Sequence, residues 1–450
     1  MLMRIRRTRP RLRVCSSSMR ILIGVLGLVL LTACTDHGAQ APATTAGPPS
    51  SAIIASERDE ALLAAATAEA PAALATLERL VNIETGTEDE VGMAAMSDLL
   101  EQELRARGFD VTRHPTTGGR EGRASVGENI VGRLHGEGGR KLLLMAHMDT
   151  VYPRGGLAAA PFRVDDNRAY GPGIADAKSG IAVILHAVKL LEARKFTGFD
   201  TLTVLFNTDE EQGSSGSSAL IGQLAGESDA IFSFEPTGVQ PEGLTYGTSG
   251  IGSVIATVTG RSAHAGVAPE LGANALVAAA DFVQRTQDLD QGPGRLRFNW
   301  TIARAGAVRN IVPNSATLEA DVRYPTNESF GPLVAEVRRL AVQPGVEGTT
   351  IDVVTDPGRP AFTADEAGRA LIARARGIYD SLGHELPVAP IIGGGTDAAF
   401  AARSGKPVIE ALGLPGYGYH TNDDEYVLVD AIPRRLYLAA RMIMDVAQAQ

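Results

Sequence analysis

Three apolar runs in this chain each stop at histidine or acid, and that recurrence restricts the fold more than any other feature. Residues 141–146 (KLLLMA) lead into His147 and Asp149, residues 201–206 (TLTVLF) into Glu210 and Glu211, and residues 230–234 (AIFSF) into Glu235. Runs of this length bounded by polar turns read as buried strands. Residues 182–193 between the first two carry a helical pattern, and strand–helix–strand order predicts an α/β fold with a mostly parallel sheet covered by helices. Ligands of such open sheets bind outside the carboxyl ends of the strands, which is where these polar residues fall.

A chain of 450 residues exceeds the size of most single cores, so two domains are expected. Between residues 250 and 322 the texture changes to alternating segments, 252–259, 295–302 and 316–323, with an Ala-rich helix at 273–285. We read residues 248–362 as an inserted smaller α+β domain that splits a catalytic domain made of 56–247 and 363–450. Within the latter, helices are expected at 56–80, with a kink or break at Pro71, and at 91–107, stopping at Gly108. Further helices are expected at 366–379 and 433–449, and strands at 109–113 and near 408–412. A formal charge of −10 argues against nucleic acid, which requires clustered Lys and Arg on one face.

The one dense basic run, Arg4 to Arg20, precedes an apolar stretch from Ile21 to Leu31 and the tetrapeptide Leu31-Thr32-Ala33-Cys34. That stretch is shorter than the ~20 residues of a membrane span. It reads as an export signal (1–34) whose end resembles a bacterial lipobox, making Cys34 the first, lipid-modified residue of a periplasmic or membrane-tethered protein. Cleavage without lipidation is the alternative. Cys15 leaves with the signal, so no intrachain disulfide can form. Residues 35–55, rich in Ala, Pro, Thr, Ser and Gly, read as a flexible tether, and the lipid anchor is the only membrane link expected.

The remaining chemistry-bearing residues fit one pattern. Asp149, two residues beyond His147, can point to the same side and hydrogen-bond its imidazole, as carboxylates behind metal-bound histidines do. Asp176 lies in YGPGIADAKSG, whose glycines permit a sharp turn, and His420 follows GLPGYGY. A single histidine is more often structural than a ligand, and adjacent acids such as Glu210-Glu211 are usually a solvated turn. Five such residues in strand-end positions are harder to reach by chance. Imidazole and carboxylate without thiolate suit zinc, with cobalt or manganese as substitutes.

These motifs resemble the zinc-dependent aminoacylase and carboxypeptidase family, most closely bacterial glutamate carboxypeptidases of the carboxypeptidase G type. The resemblance extends through FNTDEEQGSSGS, SFEPTG, GTSGIG, GRSAHAG, RNIVPNSATLEADVRY, GRPAF, GGGTDAAFAARSGKPVIE and LGLPGYGYH. It implies two zinc ions per subunit, Asp176 bridging them, His147 and Glu235 completing one site, and Glu211 and His420 the other. Glu210 would be the general base and Asp149 would orient His147. His264 of GRSAHAG would stabilise the oxyanion from a partner subunit of a homodimer assembled through the insert. Arg323 or Arg359 would hold a substrate carboxylate, with Asn310 nearby and Gly394 giving room for the substrate backbone. The chain departs from the pattern at Ala177, where many relatives carry a second acid, and the peptide bond before it is expected to be cis. His37, His114, His135, His186 and His384 lack such contexts and read as structural or solvent-facing.

The implied activity is that of an exopeptidase releasing a C-terminal glutamate from N-acyl, peptidyl or folate-like donors. A broader aminoacylase or dipeptidase is the alternative enzyme. An inactive binding protein predicts a missing base or ligand, and none is missing here.

Overall fold

The computed structural model describes residues 56–120, 123–421 and 424–449. The expected export signal, Cys34 and the tether lie outside the described residues. Among the described residues, no helix is long and apolar enough to cross a membrane.

A six-stranded sheet forms the centre, in the order Asp110–Pro115, Glu128–His135, Thr201–Asn207, Lys141–His147, Ala230–Ser233 and Val408–Ile409. The last four run parallel and the first two add an antiparallel edge. Every residue of Thr201–Asn207 is buried, as expected for a strand covered on both faces. The helix Ser179–Ala193 is buried almost all round and packs against Glu60–Val81 and Ile432–Ala447. The expected break at Pro71 does not occur: Glu60–Val81 is one helix that runs through Pro71, which lies on its exposed side.

A second apolar cluster draws only on residues between Val254 and Ala361. It lies under a four-stranded antiparallel sheet, ordered Arg297–Ala305, Ser315–Tyr324, Gly250–Thr259 and Thr350–Arg359. Ala275–Thr286 and Asn327–Ala341 pack on it. The second of these helices and the fourth strand go beyond the sequence reading. Gly331-Pro332 inside the helix obscures its periodicity, and TIDVVTDPGR ends in residues typical of a turn.

One buried ion cluster ties the catalytic sheet to its C-terminal helix. Glu242, just after the cis Gln240–Pro241 bond, accepts from Arg434 Nε and Nη2 at 2.9 and 2.7 Å, from Arg435 Nε at 2.7 Å and from the Tyr379 hydroxyl at 2.6 Å. Burial pushes its carboxyl up, but the Arg435 and Arg434 charges and these hydrogen bonds outweigh that and bring it down to about 2. A carboxylate depressed in the folded state stabilises above its unfolded pKa and loses that contribution as pH falls from about 4.5 to about 2. We expect Glu242→Gln to cost about 3 kcal/mol at pH 7, with the deficit closing below pH ~4. Urea unfolding of both proteins across this range measures it; a deficit independent of pH would contradict the ion-cluster account.

Candidate metal centre and active site

The parallel strands deliver the polar residues to one edge. His147 is the last residue of Lys141–His147, opposite Asn207. Glu210 and Glu211 open a 3-10 turn, Glu210–Gln212, from which the Glu210 carboxylate meets Arg359 and that of Glu211 meets His420. Asp176 lies in an irregular turn, Ile174–Lys178, which contains the cis Asp176–Ala177 bond. Gly173 enters this turn at φ +70°, and a Cβ there would come within 2.3 Å of Thr150 Cγ2. His420 also adopts a left-handed conformation, φ +58°.

These turns bring the expected ligands together as two triplets, His147–Asp176–Glu235 and Asp176–Glu211–His420, whose ligand atoms lie within 4.8 Å of one another. Asp176 belongs to both: Oδ1 is 2.9 Å from His147 Nε2, and Oδ2 is 3.4 Å from His420 Nε2. His147 Nε2 is 3.5 Å from Glu235 Oε2, and His420 Nε2 is 3.1 Å from Glu211 Oε2. Burial pushes Glu210 well above the carboxylate range, Glu211 to about 7 and Glu235 upward, with neighbouring carboxylates adding to the rise. Buried acid in this excess, lined with imidazole nitrogens and free of thiolate, fits divalent zinc-like cations.

Asp149 does more than stand behind His147. Its Oδ1 lies 3.3 Å from His147 Nδ1, which is also 3.0 Å from the Asp149 carbonyl. Its two carboxylate oxygens accept the backbone N–H groups of Glu210 and Glu211, each at 3.1 Å, and Oδ2 the Thr87 hydroxyl at 3.2 Å. One fully buried carboxylate thus sets a ligand of the first triplet and the turn carrying Glu210 and Glu211.

The substrate-side residues divide. Arg323, Arg359, Gly394 and Glu210 line a common cleft of about 420 Å³ beside His420. Arg359, expected to hold a substrate carboxylate, is engaged within the protein: its Nη1 pairs with the Glu210 carboxylate and donates to Gly395 O at 2.6 Å, while Nη2 donates to Glu210 O at 2.5 Å. An incoming carboxylate has to compete with Glu210 for it. Arg323 pairs with Asp321 at 2.8 and 3.0 Å. At Gly394 an added Cβ meets nothing within 4 Å, so the space before it is open, whereas at Gly395 a Cβ would be 2.7 Å from Ile251 Cδ1. A second, more apolar cavity of about 640 Å³ opens beside Asp176, Glu235 and His420, walled by Leu244, Pro387 and Val388.

His264 and Asn310 are neighbours, since His264 bridges Ile311 and Ala265 N donates to Asn310 O at 2.9 Å, but both are exposed in the insert and neither lines the cavities beside the metal ligands. His264 Nδ1 accepts the N–H groups of Gly266 and Val267 at 3.1 and 3.2 Å, which leaves Nε2 as the ring's donor. His186 is structural: buried, its Nδ1 lies 2.6 Å from Glu69 and its Nε2 2.8 Å from Thr76.

Two carboxylates escaped the sequence reading. Asp397 contacts Ser214 and Asn207 and lies 4.0 Å from Arg359. Glu425 accepts three backbone N–H groups of the Asp176 turn. The signal for the first was its place in GGGTDAAF; the second sits in NDDE, which reads as a solvated turn.

Comparison with known proteins gives consistent results. The model of peptidase family M20/M25/M40 matches residues 143–445. Carboxypeptidase G2 of Pseudomonas sp. (strain RS-16) is 54% identical over 392 residues, covering 87% of this chain and 93% of that protein. A succinyl-diaminopimelate desuccinylase of Gluconobacter oxydans (strain 621H) is 30% identical over 384 residues, covering 80% and 93%. Among solved structures, aminopeptidase PepT from Bacillus cereus ATCC 10987 matches with a TM-score of 0.71 at 23% identity, over 84% of this chain and 99% of that one. A dinuclear metal-binding peptidase of family M20 from Bacillus subtilis matches with a TM-score of 0.62 at 16% identity, over 85% and 100%. The last two likenesses concern the fold.

Proposed function

The chain belongs to peptidase family M20/M25/M40 and is a metallocarboxypeptidase, and from that premise we propose that it releases a C-terminal glutamate from N-acyl, peptidyl or folate-like donors with two zinc ions bound per subunit. The observation that carries the reading is the pair of ligand triplets sharing Asp176, with Glu210 beside them and a cleft holding Arg323 and Arg359. His147 and Glu235 would hold one ion, Glu211 and His420 the other, and Asp176 both. Two ions there would supply Lewis acidity and a water acidic enough to be deprotonated near neutral pH.

Glu210 takes the proton of the attacking water. As water oxygen bonds to the amide carbon and the C–N bond breaks, Glu210 passes that proton to the leaving nitrogen, giving a free acid and the amine of glutamate. Its raised pKa, due first to burial, strengthens Glu210 as the base of the first transfer. Asp149 fixes the turn from which it acts. The cation of Arg323 or Arg359 suits a substrate carboxylate, which a planar guanidinium holds through two bonds.

Turnover of N-acyl-glutamate, pteroyl-glutamate and N-acyl-leucine tests the substrate assignment on the piece starting near Ser56. We expect kcat/KM to favour glutamate by roughly 10²–10⁴, as a site built for a charged group rejects an apolar one; equal turnover would sink the glutamate claim. The engagement of Arg323 with Asp321 and of Arg359 with Glu210 favours the second reading, a broader aminoacylase or dipeptidase, should that preference be absent.

A homodimer paired through the insert would bring His264 and Asn310 to the partner's cleft. It is supported by the apolar residues exposed near them, Val267 at 78%, Leu271 at 64% and Val308 at 56%. Sedimentation at micromolar concentration reads this out, and a monomer would exclude it. The basic run, the apolar stretch and Leu31–Cys34 support export with Cys34 as a lipid-bearing first residue; an intact mass of the membrane-extracted protein without added acyl chains would contradict the lipid.

A further inference from the structure

We propose that Glu425 is a positioning residue that presets the metal centre, by tying the turn that carries Asp176 to the segments that carry His147 and His420. The inference rests on the reading of Asp176 and His420 as metal ligands.

Glu425 is 4% exposed. Its Oε1 accepts the N–H groups of Ala175 and Asp176 at 2.8 and 3.0 Å, and its Oε2 that of Gly173 at 2.8 Å. All three donors belong to the turn that aims the shared carboxylate, so Asp176 is gripped through its own backbone. Beside it stands the hydroxyl of Tyr152, which faces both Glu425 and the backbone N–H of His420. Tyr152 stands five residues after His147 on the segment that includes Asp149. The loops of His147, Asp176 and His420 therefore meet at one carboxylate that touches no metal-facing atom.

The carboxylate is itself anchored. Tyr426–Leu428 pairs antiparallel with Arg168–Tyr170, and Gly171 N donates to Glu425 O at 3.2 Å. This ladder joins the chain just before the Asp176 turn to the chain just after His420, and Glu425 adds the clamp at its end. Glu211 and Glu235 follow other strands, and neither is a hydrogen-bond partner of Glu425. Loosening the clamp should therefore spare the fold and the approach of those two ligands, while spreading the positions of Asp176 and His420.

Glutamine at this position separates the roles. It keeps the volume but offers one acceptor oxygen, so an NH₂ group faces either Gly173 N–H or the N–H pair of Ala175 and Asp176. Partners behind metal ligands typically contribute 10–100-fold in metal affinity. The experiment is a zinc titration of the metal-stripped full-length protein against a chromophoric chelator, for wild type, Glu425→Gln, Tyr152→Phe and Glu242→Gln. We expect the weaker zinc affinity to fall 10–100-fold in Glu425→Gln and by a smaller factor in Tyr152→Phe. Glu242→Gln, which loosens an ion cluster that contacts none of the ligands, should lose stability but not affinity. Wild-type zinc affinity in a folded Glu425→Gln would overturn the inference, as would an equal loss in Glu242→Gln, which would assign the effect to general destabilisation. If Glu425→Gln does not fold, Tyr152→Phe decides alone, with unchanged affinity overturning it. Failure of the wild type to bind two zinc ions would instead strike the metal reading itself.

Discussion

Replacing Glu210 by glutamine is expected to leave a folded protein that still takes up metal and hydrolyses its substrate at least ~10³-fold more slowly. General acid–base catalysis by a positioned side chain contributes about 10²–10⁴-fold, and here one group serves both proton transfers, so the upper part of that range applies. Glu210 stands outside both ligand triplets, which is why metal content should survive. The fold should survive as well. Arg359 would lose its nearest anion, but it keeps the carbonyls of Gly395 and Glu210, and Asp397 remains 4.0 Å away. Steady-state kinetics and metal analysis on the same sample check both halves. Unchanged turnover would remove Glu210 from the base role, and loss of metal along with turnover would recast it as a ligand.

Asp176→Ala should have the broader effect. Asp176 is the one residue common to the two triplets, and without it each retains a histidine and a single carboxylate. Both affinities should collapse, turnover should fall to background, and added zinc should no longer stabilise the chain. In the wild type, zinc at ~1,000 times its dissociation constant contributes about 4 kcal/mol. Thermal unfolding with and without zinc therefore separates the proteins clearly, with the midpoint of Asp176→Ala indifferent to the metal. Retention of near two zinc ions per chain would mean that the two triplets are independent and that Asp176 bridges nothing.

Much of this arrangement could be read from residue order because parallel strands must be apolar along their length and polar at their ends. KLLLMA, TLTVLF and AIFSF announced both the central sheet and the ligands beyond it. The insert was less legible. Its strands alternate because one face is covered, but Gly331-Pro332 masked one helix and the Asp356-Pro357-Gly358 end masked one strand. Partners that meet only through the fold left no local trace. Nothing near Glu210 points to Arg359, 149 residues away, and Glu425 lies some 250 residues from the N–H groups it accepts. Arg359 shows the limit most clearly: guanidinium chemistry pointed to a substrate carboxylate, but no local signal announced the Glu210, Gly395 and Ser214 that surround it in the folded chain.

The spacing of the ligands has a consequence for biogenesis. Asp176 meets His147 early in the chain, but its second imidazole, His420, comes after the whole insert, and Glu425 later still. A nascent chain can assemble the first triplet with the catalytic sheet still lacking its Val408–Ile409 edge, yet the second triplet waits for nearly complete synthesis. Contacts so distant along the chain form late and slowly. A full complement of metal is in that sense a signature of completed folding: any product ending before residue 420 is confined to one triplet, however well its first half folds.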